Sequence, residues 1–278
     1  MKTKFSWKAY KEAVENEMRE HRSSFILYGV LRFFVFLTLI RQAYLGNYES
    51  VFMCVLTLLL FLVPSIMSVS FHISLPAALQ NIILIFIYSA EILGEINEFY
   101  LIIPMWDTIL HTINGFLCAA IGFSMAMLLN DDENLTFELS PLYLALVAFC
   151  FSMTIGVLWE FFEFFMDLVF QTDMQKDTVV HVISSVMLNP NGTNQAVAIS
   201  GITDVVVNGK DLNLGGYLDI GLYDTMKDLF VNFIGAIVFS VIGYFYAKSK
   251  GKGELVKKLV PTRAHKPELP PGYQHPLN

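Results

Sequence analysis

Six apolar runs dominate the chain, near residues 24–46, 50–70, 76–96, 102–129, 141–169 and 222–247. A helix needs about 20 apolar residues to cross a hydrocarbon core of about 30 Å, and each run supplies enough. Backbone immersed in lipid must satisfy its own N–H and C=O groups, so runs of this kind are read as helices. Composition points the same way. Of 278 residues, 55% are hydrophobic and only 15% are charged, too few polar groups to cover a soluble domain. A net charge of −7 argues against a nucleic-acid partner. The three cysteines, Cys54, Cys118 and Cys150, all fall inside apolar runs and make no disulfide framework. The expected fold is an all-α integral membrane protein of six transmembrane helices, with a small extracytoplasmic, hairpin-bearing loop between the fifth and sixth.

Lysine and arginine set the expected orientation. Six precede the first run and seven follow the last, while the connecting loops hold few. With an even number of spans, basic residues at both ends place both termini in the cytoplasm. The chain then divides into an amphipathic N-terminal segment (1–23), a transmembrane domain (24–247) and a basic, proline-rich cytoplasmic tail (248–278). Trp7, Tyr10, Val14 and Met18 recur at helical spacing in the first segment, as in a helix lying at the interface. From Pro261 onward, proline content argues against a fixed fold. The 171–221 loop is expected outside, as a cap. Within it, Ile202 to Val207 and Lys210 to Leu214 flank Asn208-Gly209, the pair favoured by a type I′ hairpin turn.

The chemistry lies in ionisable residues inside the apolar runs. The fourth run carries Asp107, His111 and Asn114, the fifth Glu160, Glu163 and Asp167, and the sixth Asp224, Asp228 and Asn232. Each triplet has the spacing of one helical face. A charge at the bilayer centre costs about 2.5–3.5 kcal/mol on insertion scales, so such residues face a partner, a cavity or an ion. Asp107 and Asp224 begin their runs at the outer side. Glu160 stands roughly 28 Å beyond Pro141 along the outward-running fifth helix, at about 1.5 Å per residue. All three stripes therefore reach the same outer third of the membrane. For one stripe, near-interface acids that merely set helix register would be the simpler account; three at one depth favour a shared centre. Glu91 and Glu95, near the end of the third run, fit the simpler account.

Six carboxylates on these stripes meet one histidine and few basic residues: Arg32, Arg41 and Lys227. Like charges this close need protons or a cation. Oxygen and imidazole donors suit a divalent metal ion. The candidate cluster is Asp107, His111, Glu160, Glu163, Asp224 and Asp228, supported by Asn114, Asp167 and Asn232. His181 reads as an ordinary loop histidine.

Three blocks together carry a resemblance. They are Trp106-Asp107 through His111 to Asn114-Gly115, then Trp159-Glu160-Phe-Phe-Glu163, then Tyr223-Asp224 through Asp228 with Gly235-Ala236 beyond. This order resembles the YjdF-type family of bacterial inner-membrane proteins, with Thr112 where that family usually has phenylalanine and a longer loop before the last acidic pair. Asp107, His111, Asp228, Asn232 and Gly235-Ala236 are more faintly similar to VanZ-like proteins, linked to teicoplanin resistance. The resemblance implies a bacterial plasma-membrane protein with the stripes as its functional core, and it names no substrate. Three functions stay open. One is a metal-dependent enzyme whose site near the outer leaflet acts on a lipid-linked or envelope substrate. Another is a non-catalytic envelope or antibiotic-resistance factor with a structural polar core. The last is a proton or cation transporter, against which the apolar inner halves of the last three spans count.

Overall fold

A computed structural model describes residues 22–66, 73–130, 138–260 and 262–263. The expected interfacial helix before residue 22 and the tail beyond residue 263 lie outside the described residues. Six helices among those described are long and apolar enough to cross a membrane: Ser24–Leu45, Tyr48–Ile66, Ala77–Ile96, Trp106–Asn130, Pro141–Phe170 and Leu222–Lys248. The protein is a mostly helical membrane protein.

Two compact units make up the chain. One runs to Ser152 and resumes at Asn232; the other is Met153–Val231. Both boundaries fall inside continuous helices.

The first unit contains α1 (Arg22–Leu45), α2 (Tyr48–Leu60), α3 (Ala77–Tyr88), α4 (Phe99–Ile102) and α5 (Trp106–Asn130). It also holds the first turns of α6 (Pro141–Phe170), all but the first turns of α7 (Leu222–Lys248), and α8 (Glu254–Lys257). Leu31 and Val35 of α1, Cys54 of α2, Leu79, Ile83 and Leu84 of α3, and Leu117 of α5 form one buried cluster. The outer face of α1 is apolar as well, with Phe25, Phe33, Phe36 and Ile40 exposed, as suits a helix whose solvent is lipid.

The third span does not stay α-helical. It continues from α3 into a π-helical segment, Ser89–Ile96. The Ser89 carbonyl accepts the Trp106 indole N–H at 3.3 Å, and Gly94 lies so close to the Tyr100 ring that a Cβ would overlap it. Widened turns of this kind are uncommon and recur near functional sites.

α5 and α7 pack through two reciprocal notches. A Cβ on Gly115 would overlap the Asn232 carbonyl oxygen, and one on Gly235 would overlap that of Thr112. Small residues let membrane helices approach until backbone meets backbone. Phe116 and Phe123 then stack edge-on against Phe239, with ring centroids 5.1 and 6.0 Å apart.

A short antiparallel pair also belongs to this unit: β1 (Ile73–Ser74) with β8 (Thr262–Arg263). It corrects the expectation of no fixed fold for these two tail residues, since backbone hydrogen bonding to β1 overrides the effect of the neighbouring prolines.

The second unit contains the remaining turns of α6, the first turns of α7 and the loop between them. β2 (Thr178–Val180) pairs antiparallel with β7 (Tyr217–Asp219), which brings the start and end of the loop together. Between them, β3 (Val182–Ser185) pairs with β4 (Val197–Ser200), and β5 (Val206–Val207) with β6 (Lys210–Asp211). Asn208 and Gly209 between β5 and β6 have φ of 51° and 80°. Positive φ at both central residues is the type I′ geometry expected of this pair. The strands are shorter than the expected arms.

Candidate functional site

Inside the first unit, the stripe on α5 begins with an Asp107–His111 contact, Oδ1 to Nε2 at 3.3 Å across one helical turn. Both side chains are largely covered, 19% and 12% exposed. One turn further, the Asn114 amide donates to Asn232 Oδ1 at 3.2 Å, and Asn232 is fully buried. The two glycine notches set this spacing. On a neighbouring helix, buried Ser152 donates to the Gly115 carbonyl at 2.7 Å.

In the second unit, α6 turns its acids inward and its aromatics outward. Glu160 and Glu163 are 4% and 8% exposed, whereas Phe161, Phe164, Phe165 and Leu168 are exposed. Spacing of three and four residues separates the two faces. The Trp159 indole donates to Glu163 Oε1 at 2.8 Å.

Asp167 organises the chain that leaves α6. Its carboxylate accepts from the Thr172 hydroxyl (2.7 Å) and from the backbone N–H groups of Met174 (2.7 Å) and Gln175 (2.8 Å). A carboxylate that accepts several N–H and O–H groups is a strong local organiser. Gln175, buried by this turn, donates to Thr225 Oγ1 at 2.6 Å and reaches Glu160 Oε2 at 3.5 Å. The Lys176 N–H donates to Asp224 Oδ2 at 2.8 Å. The strap 172–176 therefore ties α6 to the first turns of α7. Outside the spans, partial burial pushes the Asp177 carboxyl above its ordinary value of 3.8, and Asp173, Asp219, Asp167 and Asp224 push it further.

The first turns of α7 hold a charged trio. Lys227 Nζ lies 3.3 Å from Asp224 Oδ1 and 3.7 Å from Asp228 Oδ1, and Asp228 is 1% exposed. The helix is unbroken from these turns onward, with Asp228 one turn before Asn232. Of the candidate residues, Asp107 and His111 belong to the first unit, and Glu160, Glu163, Asp224 and Asp228 to the second. In the first, a carboxylate and an imidazole one helical turn apart are donors of the kind that suit a divalent ion.

Sequence reasoning missed Gln175, Thr225 and Ser152. Only Ser152, a polar residue in an apolar run, left a trace; the other two matter through contacts made by chain reversal. It also assigned Glu91 to an ordinary helix end. Glu91 is 3% exposed, and its Oε2 has no hydrogen-bond partner among the described residues. The π-helical segment carries that side chain, and the acid spacing alone does not reveal it. His181 is a loop histidine held by backbone: its Nδ1 is 3.0 Å from the Ile202 carbonyl oxygen.

A family profile described as a predicted membrane protein, DUF2238, matches residues 24–249, most of the chain. The chain belongs to the DUF2238 family of predicted membrane proteins. The match spans all six apolar helices and every residue of the three stripes. No curated protein and no solved structure matches the chain. The fainter likeness to VanZ-like proteins gains no support from these comparisons. Membership of DUF2238 carries the membrane assignment and leaves the chemistry to the side chains.

Proposed function

We propose that this DUF2238 protein holds a divalent cation near the outer leaflet of a bacterial plasma membrane, with both termini cytoplasmic, and uses it as a metal-dependent enzyme on a lipid-linked or envelope substrate. The supporting observations lie within each unit: the Asp107–His111 pair, 3.3 Å apart on α5, and the buried carboxylates Glu160, Glu163 and Asp228 on α6 and the first turns of α7. Carboxylates brought together in a medium that screens poorly repel strongly, about 4 kcal/mol at 4 Å even for an effective dielectric of 20. A divalent ion turns that repulsion into attraction and takes the neutral imidazole as a further ligand. Asp107 lies 3.3 Å from the His111 ring, one turn away on the same helical face, and offers its carboxylate beside the imidazole.

A bound ion would polarise a carbonyl or phosphoryl oxygen and make its bound water more acidic. Glu160 and Glu163, buried on the inward face of α6, are the acid/base candidates. The 171–221 loop is the proposed cap, with the strap 172–176 as its hinge point on the helices.

Metal analysis of purified protein, with thermal melts before and after chelation, tests this reading. Chelation should lower the melting temperature of the wild type. His111→Ala and Asp228→Asn should each remove most of that sensitivity. Protein that carries no metal and melts identically with chelator or added divalent ion would instead fit the structural-core reading.

A further inference from the structure

The third span ends in a group of acids outside the three stripes. Its π-helical segment, Ser89–Ile96, carries Glu91 and Glu95, four residues apart, and Glu98 follows the segment's end. Exposure rises along the three. Glu91 is 3% exposed, Glu95 is half-buried, and Glu98 is exposed with a φ of 60°. The buried Glu91 Oε2 has no hydrogen-bond partner among the described residues. The Trp106 indole on the Ser89 carbonyl and the Tyr100 ring against Gly94 hold the segment in place. All of these residues belong to the first unit.

A buried carboxyl group needs a positive partner or a proton. The segment packs against α2, α3, α4 and α5, and none of these helices carries a lysine or arginine. Their titratable groups are Tyr48, Glu49 and buried Cys54 on α2, Tyr88 on α3 and Tyr100 on α4. α5 adds Asp107, His111 and Cys118. Of these only His111 can become positive, and it lies 3.3 Å from Asp107 on its own helix. α1, packed on α3, has Arg32 over the Tyr28 ring, 5.0 Å from its centroid, and an exposed Arg41. We propose that Glu91 is a proton-binding site inside the third span, loaded from water by way of Glu98 and Glu95. Residues four apart on a helix are neighbours, so Glu95 is placed to pass a proton on. Each inward transfer leaves the negative charge on the wetter acid, where water screens it. Widened helical turns recur where a span does chemistry, and this one carries the enclosed acid. The site is independent of the divalent-cation reading and stands if that reading fails.

Full-length protein in detergent is treated with dicyclohexylcarbodiimide, which enters apolar regions and adds to a carboxyl that holds its proton. Mass spectrometry of the wild type should find Glu91 modified at neutral pH and the exposed Glu49 and Glu98 untouched. The yield should fall as pH rises. An unmodified Glu91 overturns the proposal. Protection of Glu91 by added Na⁺ would assign the carboxylate to a metal cation and overturns it as well. Infrared spectroscopy then follows the route. The carboxylic C=O band lost on carbodiimide treatment, or in Glu91→Gln, should shift when the protein is moved into heavy water. Glu95→Gln should slow that shift by roughly a hundredfold, within the range for a positioned proton-transfer group. A neutral acid with a merely structural role would also be modified, but its band would shift at one rate with and without Glu95. That equality overturns the loading route. The carbodiimide measurement needs no variant, so it decides the site even if Glu91→Gln does not fold.

Discussion

Gly115 and Gly235 set the distance between α5 and α7, and the Asn114–Asn232 bond uses that distance. The two kinds of residue should respond differently to substitution. Hydrogen bonds between membrane helices average about 0.6 kcal/mol, because partners are also found in the unfolded, membrane-inserted chain. Asn232→Leu should therefore cost on the order of 1 kcal/mol. Gly235→Ala drives a methyl group into a backbone carbonyl that no rotamer change can move aside. It belongs with overpacking changes, which cost about 1–3 kcal/mol. Unfolding of the purified protein in mixed micelles should rank Gly235→Ala as the more damaging; the reverse order would mean that the helices can part without cost. Residue chemistry of this kind was partly legible. Asp107, His111, Asp228 and Asn232 stood out as polar residues in apolar runs. The glycines stood in the motif blocks, but nothing in the sequence said which carbonyl each one faces.

Individual elements carry the same lesson. The Asn208-Gly209 turn was legible because positive φ at two successive residues demands residues that tolerate it. The π-helical end of the third span was not; its Ser89 carbonyl and Gly94 meet Trp106 and Tyr100 only after the chain turns back. Nor was the acidic collar of the loop, where Asp177 meets Asp173, Asp219, Asp167 and Asp224. Burial first, and then these acids, raise the Asp177 carboxyl above its ordinary 3.8, so the folded loop holds that proton more firmly than the unfolded chain does. In the window from 3.8 up to the raised value, folding takes up a proton, and stability falls as pH rises through it. Above the window the cost of the ionised group is fully present. Hydrogen exchange of the 171–221 amides, corrected for intrinsic rates, should show greater protection at the lower end of this window than at its upper end. Asp177→Asn should flatten that difference and protect the loop better at neutral pH. A loop equally protected throughout would mean that the collar is fully screened by water.

At the scale of the whole molecule, the β1–β8 pairing bears on topology. Ser74 precedes the third span and Thr262 follows the sixth, and the two are paired through their backbones. Four spans lie between them, and an even number returns the chain to the side it left. The expected placement of both termini in the cytoplasm puts Asn191 outside. Cysteine placed at Asn191 should react with a membrane-impermeant maleimide in intact cells; protection before lysis and reaction after it would reverse the orientation. Six helices apolar enough to cross a membrane, three of them with a polar face, are legible in the residues alone. Hydropathy and helical period are local properties, and lipid leaves the backbone no alternative to the helix. Which polar residues meet is settled by tertiary structure, which joins Asn114 to Asn232, ties Glu160 through Gln175 to Thr225, and gives Asp167 to the strap. Those pairings depend on helix approach and chain reversal, which glycine notches and backbone hydrogen bonds settle among residues far apart in the chain.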